Sequence, residues 1–236
     1  MIRALAVFAL LVSAPVAHAT DCPQFYQGGQ APRVSNPKLS IKARELCFTT
    51  FVVMHSGVAR EPLWSAEHLT RASVKAALLY KDRDNQFHPE ERLPADERAL
   101  LSDYAKSGYD RGHMAPSGDT STPATDHETF TLANMVPQSP SLNRHSWADL
   151  EGAMRTRASK SGDMWLVSGP LFETAPNKGI GALKGRVLIP THTWKAFYVP
   201  SAGAGVYVAT NDETPKWTLQ SVASFAARSG DRKSVV

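Results

Sequence analysis

Cysteine is scarce in this chain, which has two in 236 residues, Cys22 and Cys47. Neither belongs to a C-x-x-C pair, so the spacing disfavours a zinc site or a redox-active thiol pair. Beyond the first residues, no apolar run approaches the roughly 20 residues that a membrane-spanning helix requires. Internal repeats and long low-complexity runs are also absent. The sequence therefore predicts a soluble mature protein without a membrane partner.

The first 19 residues have the composition of a secretory signal. Arg3 supplies a positive charge, residues 5–12 form a short apolar run, and Ala17 and Ala19 complete a small-x-small cleavage site. The alternative interpretation of this segment is an N-terminal membrane anchor or a buried helix. We expect export of residues 20–236 to the periplasm or to the medium.

Export bears on the two cysteines. Because an exported protein folds in an oxidising compartment, Cys22 and Cys47 are predicted to form one disulfide that serves stability and not catalysis. Closing a loop of this size contributes about 3 kcal/mol in the chain-entropy model. The competing interpretation is a catalytic or metal-binding cysteine.

The charge of the chain is only mildly basic. A formal net charge of +4 fits a polyanionic partner but is weak evidence by itself. Residues 20–236 are long enough to bury a substantial core, so we expect a single domain, although two would also fit the length.

The coarse secondary structure favours an α+β fold. Strands and helices do not alternate as regular βαβ units, so the expected fold is a mainly antiparallel central β-sheet with flanking helices. Residues 71–80 fit either a strand or a short helix, and residues 81–110 are expected to be mostly loop with a short helix around 95–105. Glycines 203 and 205 are assigned to the turn between the last two strands. The predicted strands are 45–55, 164–168, 186–190, 194–199 and 206–210, and the predicted helices run from 142 to about 157 and from 219 to 227.

The segment Tyr-Asp-Arg-Gly-His-Met-Ala-Pro, residues 109–116, is the most informative. A neutral imidazole such as that of His113 can take a proton from water near neutral pH. Arg111 can hold a phosphate by two parallel hydrogen bonds, and Gly112 lets the backbone come close to a bound group. A lone histidine is usually structural, so this octapeptide alone leaves both interpretations open.

A second polar segment runs from Asn134 to Arg155 and includes Asn143 and Glu151. Mg²⁺ prefers oxygen ligands and keeps several waters, so one amide oxygen is enough protein to hold it. In a continuous helix, Asn143 and Glu151 would be separated by a rise of roughly 12 Å and about 80° of rotation. Asn143 is therefore the better direct ligand, and Glu151 the better contact to the ion's water shell. The alternative interpretations are purely structural: a surface ion pair of Glu151 with Arg155, and turn or capping roles for the asparagines.

Together the two segments resemble the DNA/RNA non-specific endonucleases of the ββα-metal class. Asp-Arg-Gly-His-Met-Ala-Pro is followed by Asn-x3-Gln-x4-Asn-x3-Trp-x3-Glu-x3-Arg, and the resemblance extends from about Pro23 to Ser229. It also includes Pro62-Leu-Trp64, Arg83-x3-Phe87, Asp103-Tyr104, Val167-Ser-Gly169-Pro170 and Ile189-Pro190. The combined motif is specific, whereas the flanking matches alone would be weak.

This resemblance implies a role for each matching residue. His113 would be the general base and Asn143 the sole direct protein ligand of Mg²⁺, or of Mn²⁺ or another divalent cation. Asn134 would order the catalytic site, and Glu151 would touch the water shell of the ion. The three arginines at matching positions would act on the phosphate. Arg83 would stabilise the transition state, and Lys81 is the alternative residue for this role. Arg111 and Arg155 would lie beside the bound phosphate.

The implied function is an endonuclease that cuts DNA and RNA without sequence specificity, and an inhibitor protein is compatible with it. Two other functions compete. A catalytically silent nucleic-acid-binding or uptake protein would require a broken His113 or Asn143 position, and neither is broken here. A phosphodiesterase acting on small or lipid phosphate esters is the third hypothesis, because the basic excess is modest.

Overall fold

A seven-stranded antiparallel sheet is the central element of the computed structural model, which describes residues 20–34, 36–173 and 179–230. The strands are β1 Ala43–Cys47, β2 Phe51–Ser56, β3 Glu61–Leu69, β4 Asp110–His113, β5 Met135–Gln138, β6 Met164–Leu171, β7 Ala182–Leu183, β8 Val187–Leu188, β9 His192–Val199, β10 Gly203–Thr210 and β11 Trp217–Gln220. The sheet order is β1-β2-β3-β6-β9-β10-β11, while β4 pairs with β5 and β7 with β8. The α+β class with a mainly antiparallel sheet is confirmed.

The helices flank this sheet. They are α1 Pro37–Ser40, α2 Arg71–Leu79, α3 Leu101–Tyr104, α4 Pro123–Thr129, α5 Ala148–Ser161 and α6 Val222–Gly230, and a π-helical segment, Leu142–Trp147, leads directly into α5. Short 3-10 turns span Pro23–Phe25, Gln27–Gly29, Ser117–Asp119 and Leu132–Asn134. The antiparallel pair β4–β5, followed by the π segment and α5, forms the predicted ββα unit.

One face of the sheet carries an unusual row of buried polar side chains. Ser65 of β3 lies opposite Ser168 of β6, and Ser168 lies opposite Lys195 of β9. Directly opposed residues of antiparallel strands point to the same side. Ser65 and Lys195 reach residues that flank β4 and β5, so this polar face supports the ββα unit.

Two sequence assignments near the start of the chain needed tertiary information. The single strand predicted over 45–55 is wrong, because a turn at Phe48 separates β1 from β2, with the Phe48 amide donating to the carbonyl of Phe51 (2.9 Å). The ambiguous segment 71–80 is the helix α2, which begins at a capping box between Thr70 and Ser73.

At the other end, the helix predicted from residue 219 is also wrong in its start. Residues 217–220 instead pair with β10 as the edge strand β11, and α6 begins at Val222. Gly203 and Gly205 lie within β10 and not in the turn, which residues 200–202 form. A segment of about four residues is too short to show the alternation of apolar and polar residues that predicts a strand. Its pairing with β10 therefore determines its conformation.

The expected disulfide between Cys22 and Cys47 is confirmed, with Cα atoms 6.0 Å apart. It fastens the irregular arm before α1 to the end of β1, where Cys22 packs in the core with Phe25 and Trp64. No helix in the described ranges is long and apolar enough to cross a bilayer. The predicted signal at 1–19 and the basic tail at 231–236 lie outside the described residues.

Glu61, at the start of β3, provides a stability prediction. Its side chain is completely buried, and neither carboxyl oxygen has a hydrogen-bond partner among the described residues. Burial raises the pKa of Glu61 well above its usual value of 4.5. A raised folded-state pKa means that the stability contribution of the protonated acid is lost as the pH rises above 4.5.

We therefore expect Glu61→Gln to gain stability over the parent protein as the pH is raised, by at least about 1 kcal/mol at pH 8. Urea unfolding at pH 5 and pH 8 measures this change, and the exposed Glu213→Gln serves as the matched control. Equal pH dependence of the parent and Glu61→Gln would contradict the prediction.

Candidate active site

His113 ends β4, where it lies opposite Met135 of β5. Its imidazole contacts the ring of Phe130 edge to face, at 5.0 Å between centroids, and the ring of Phe87 at 5.8 Å. Nε2 is enclosed and has no hydrogen-bond partner among the described residues. Nδ1 is the ring nitrogen that is not enclosed in this way.

The surroundings of His113 keep the ring uncharged. Burial lowers the pKa of His113 to about 4; nearby Asp126 opposes this effect, and Arg111 adds to it. The lowered pKa makes the neutral imidazole the dominant form at pH 7. His113 can consequently accept a proton over the whole neutral range.

Arg111 is held without an acidic partner. Its guanidinium lies over the ring of Phe87, 4.0 Å from the centroid, and no group in the described part of the chain forms a salt bridge or hydrogen bond with it. A stacked guanidinium keeps its donors in a fixed fork that suits a phosphate. Phe87 therefore places Arg111 and His113 side by side.

Asn143 lies in the π-helical segment, and Asp110 at the start of β4 orients it. The amide nitrogen of Asn143 donates to Oδ2 of Asp110 (3.0 Å), which leaves the amide oxygen as its free polar atom. Arg144 forms two further bonds to Asp110, at 2.8 and 2.7 Å. The bonds from Arg144 and Asn143 lower the pKa of Asp110, so the carboxylate is ionised and fixed.

Asp110 had no role in the sequence prediction, although it begins the motif. A carboxylate that fixes the orientation of a metal ligand is a common arrangement. This role of Asp110 could therefore have been predicted from its place at the start of the motif. Asn143, Asp110 and Arg111 open onto a cleft of about 520 Å³. The remaining lining residues are Asn85, Phe87, Leu101, Tyr104, Ala105, Tyr109 and Arg144.

Glu151 lies half-buried on α5 and forms no salt bridge with another described residue. Its Oε1 is enclosed without a hydrogen-bond partner in the described structure. Burial raises the pKa of Glu151 to about 7, the positive charge of Lys195 opposes the rise, and Asp119 adds to it. Arg155 donates to Asp119 at 2.9 Å, so the helical surface pair between Arg155 and Glu151 is not the arrangement found.

Asn134 is completely buried and acts within the protein. Its amide nitrogen donates to the carbonyls of Ala115 (2.8 Å) and Thr129 (3.0 Å). Its oxygen accepts from the amide of Ala115 (3.0 Å) and from the hydroxyl of Ser65 (2.7 Å). These four bonds fix the chain that follows His113, in line with an ordering role.

Arg83 is placed close to the site, but its guanidinium is already bound. One nitrogen contacts the carbonyl and hydroxyl of Thr120, both at 3.1 Å, and Asp126 at 3.4 Å. The other donates to the carbonyls of Ala77 (3.0 Å) and Tyr80 (3.2 Å). Arg83 thus ties the end of α2 to the turn after Pro116, and any contact with a phosphate would require some of these bonds to exchange.

Gly112 differs from its expected role. A Cβ atom there would lie 2.2 Å from Oε1 and 2.6 Å from Cβ of Gln138, the last residue of β5. The close approach that requires glycine is therefore made to Gln138 and not to a bound group. Packing of β4 on β5 explains the residue.

The donor set suits a hard divalent cation. The amide oxygen of Asn143 is oriented by a carboxylate, and the enclosed Oε1 of Glu151 lacks a partner in the described structure. Mg²⁺ prefers oxygen donors and keeps several waters, so it needs few protein ligands. The amide oxygen of Asn143 and the enclosed Oε1 of Glu151 are oxygen donors of the kind that such an ion accepts.

Comparison with known proteins identifies relatives of this chain. The family model described as DNA/RNA non-specific endonuclease matches residues 29–229. The chain is 39% identical over 162 residues to Nuclease C1 of Cunninghamella echinulata var. echinulata, covering 64% of this chain and 63% of that protein. It is 41% identical over 129 residues to a nuclease of Nostoc sp., covering 53% of this chain and 45% of that protein.

Two further similarities extend the set. Mitochondrial nuclease EXOG of Danio rerio is 36% identical over 180 residues, which are 70% of this chain and 51% of that protein. The alignments thus span about half to two thirds of the length of these curated relatives. One chain of a crystal structure of the EndoG/EndoGI complex, which addresses the mechanism of EndoG inhibition, superposes with a TM-score of 0.67 at 28% identity, covering 79% of this chain and 83% of that one.

Proposed function

Because the chain belongs to the DNA/RNA non-specific endonuclease family, we propose that it is an endonuclease that hydrolyses phosphodiester bonds with the help of a divalent cation. The observation that carries the proposal is the pairing, on one short strand, of a neutral His113 with Arg111, which stacks on Phe87 and forms no salt bridge with the described residues. A proton acceptor and a phosphate clamp at this spacing are the minimum needed for attack by water on a phosphodiester.

The residues divide the reaction between them. Nδ1 of His113 takes the proton of the attacking water, and Arg111 binds a non-bridging oxygen of the phosphate. Asp110 accepts from the amide nitrogen of Asn143, which leaves the amide oxygen with which Asn143 would hold the ion directly. When bound there, Mg²⁺ supplies charge neutralisation on the phosphate and on the leaving oxygen.

Three of the residues assigned from the family motif have supporting roles in this proposal. Glu151 would act behind the ion through its water shell, supported by its buried, unpartnered oxygen. Arg155 would stabilise the negative charge of the phosphate from a distance, since one nitrogen of its guanidinium donates to Asp119. Arg83 would stabilise the transition state after releasing part of its bonds to backbone carbonyls.

The substrates follow from what these residues can recognise. Each acts on phosphate, water or metal, and none is assigned to a base edge or to the 2′-hydroxyl. We therefore propose both DNA and RNA as substrates, with binding that weakens as the salt concentration rises. An inhibitor protein is a further proposed partner, by analogy with the EndoG and EndoGI complex.

Export is proposed as well. The disulfide between Cys22 and Cys47 supports an oxidising compartment, and the signal-like composition of residues 1–19 supports the route to it. Several relatives are named mitochondrial nucleases, so location in an organelle is the alternative to the periplasm or the medium. Fractionation of expressing cells, followed by N-terminal sequencing, distinguishes these locations.

The proposed activity is tested on supercoiled plasmid, single-stranded DNA and RNA with the purified protein, in Mg²⁺ and in EDTA. We expect all three to be cut in Mg²⁺, no cutting in EDTA, and no single cleavage sequence on a long duplex. Retention of nucleic acid without cutting would instead indicate a silent binding protein. Hydrolysis of small diesters alone would indicate the phosphodiesterase function.

A further inference from the structure

Lys195 of β9 is a buried lysine that the proposed reaction does not use. Only 1% of it is exposed, whereas lysine is almost never fully buried without a partner. Its ammonium donates to the hydroxyl of Ser168 (2.6 Å) and to the carbonyl of Met114 (3.3 Å). It also lies 5.4 Å from the ring centroid of Trp147.

These contacts belong to the two halves of the ββα unit. Met114 directly follows His113, so the carbonyl that Lys195 holds lies immediately after the strand that carries the base. Trp147 ends the π segment that carries Asn143, and Glu151 lies one turn further along α5. One ammonium group, carried by the central sheet, therefore contacts two parts of the site. These are the base side, which carries His113, and the cation side, which carries Asn143 and Glu151.

The charges around Lys195 explain why a lysine is tolerated at this position. Glu67 is 4% exposed, and its Oε1 lacks a partner in the described structure, as does Oε1 of Glu151. Asp119 completes a set of three acids, of which Glu67 and Asp119 are buried and Glu151 is half-buried. Arg155 hydrogen-bonds only to Asp119 among them. Lys195 is the second cation of this cluster, and its charge acts on Glu67 and Glu151 together with that of Arg155. Its removal would leave Arg155 as the one positive charge beside these acids in the described structure.

We infer that Lys195 is a positioning residue for phosphodiester hydrolysis: it anchors the Met114 carbonyl and offsets the charge of Glu151, which keeps His113 and the cation side in fixed relation. The inference rests on the proposed function. A residue that only balanced charge would be replaceable by any change that restored the balance. A positioning residue would not be, because the bond to Met114 would still be missing.

The test uses this difference. Lys195→Met removes the ammonium at similar side-chain length, and Lys195→Met with Glu67→Gln also removes one of the three acidic groups of the cluster. We expect the double variant to regain most of the thermal stability lost in Lys195→Met. Relative to Glu67→Gln alone, its kcat should still be lower by about 10–100-fold, the range typical of groups that orient catalytic ligands. KM should change little, because the phosphate contacts of Arg111 are untouched.

A second readout does not depend on activity. The imidazole Cε1–H resonance of His113, followed by NMR without metal, should shift in the double variant relative to Glu67→Gln. The resonance of His68, which stacks on Trp165, should not shift. Ser168→Ala keeps every charge and removes one acceptor of Lys195, so it should shift the His113 signal and lower kcat by a smaller factor even if the double variant does not fold.

A double variant with the kcat of Glu67→Gln and an unmoved His113 signal would show that Lys195 only balances charge. For Ser168→Ala, parental kcat and an unmoved signal would overturn the inference equally. Failure of the proposed function has a different signature, since the parent protein itself would then not cut nucleic acid in Mg²⁺. The NMR comparison would still report whether Lys195 positions His113.

Discussion

Replacement of His113 by alanine is expected to lower the kcat for plasmid cleavage by about 10²–10⁴-fold, the usual contribution of a general base. Binding should be nearly unchanged, because affinity for the polyanion comes from the arginines. Rates on supercoiled plasmid and the Kd for a short oligonucleotide in EDTA measure the two effects separately. Cleavage by His113→Ala at nearly the parental rate would show that another group takes the proton.

The matched control is His68→Ala, since His68 bonds Asp163 and stacks on Trp165. It should retain the parental rate. The pH profile adds a signature specific to the base. Because the pKa of His113 is lowered to about 4 from 6.5, the neutral form is lost only when the pH falls toward 4. The acid limb of kcat/KM, which reports the free enzyme, should therefore lie well below pH 6.5.

Replacement of Asn143 by alanine is expected to abolish most of the cation-dependent activity, a larger loss than that of any other residue on the cation side. Asp110 accepts from the amide nitrogen of Asn143, so the amide oxygen is the atom left for an ion, and alanine leaves no oxygen in its place. Glu151→Gln should lower activity by about 10–100-fold and raise the Mg²⁺ concentration that gives half the maximal rate.

Mg²⁺ titrations of activity, together with direct titration of Mn²⁺ binding by calorimetry, measure both changes. The control is His145→Ala, since His145 is exposed on the same π segment and only bonds the carbonyl of Ser141. A greater loss of ion affinity in Glu151→Gln than in Asn143→Ala would reverse the order of the two residues and place Glu151 next to the ion.

The sequence motif located His113, Arg111 and Asn143 well because their chemistry is local. The motif consists of a histidine, an arginine two residues before it and the asparagine of the following helix. Its spacing in the sequence does not depend on the rest of the fold. Glu67, Asp119 and Lys195 could not be found in this way. They come from three distant segments, and only the pairing of β3, β6 and β9 brings two of them onto one buried face.

Secondary structure shows the same division. The strands β6, β9 and β10 have apolar runs that predict them, whereas the break at Phe48 and the edge strand β11 depend on partners elsewhere in the fold. The helix predicted from residue 142 is present but begins as a π segment. An α-helical rise and rotation therefore do not describe the step from Asn143 to Glu151 accurately.

The stacking of Arg111 on Phe87 has a consequence for the temperature dependence of substrate binding. A free arginine side chain loses about 2 kcal/mol of rotamer entropy when a ligand immobilises it. Here the guanidinium lies 4.0 Å from the Phe87 centroid before any phosphate arrives, so much of that freedom is already lost in the folded protein. Phe87→Leu would restore the lost motion. Association measured by calorimetry should then carry a more unfavourable entropy even where its enthalpy is unchanged.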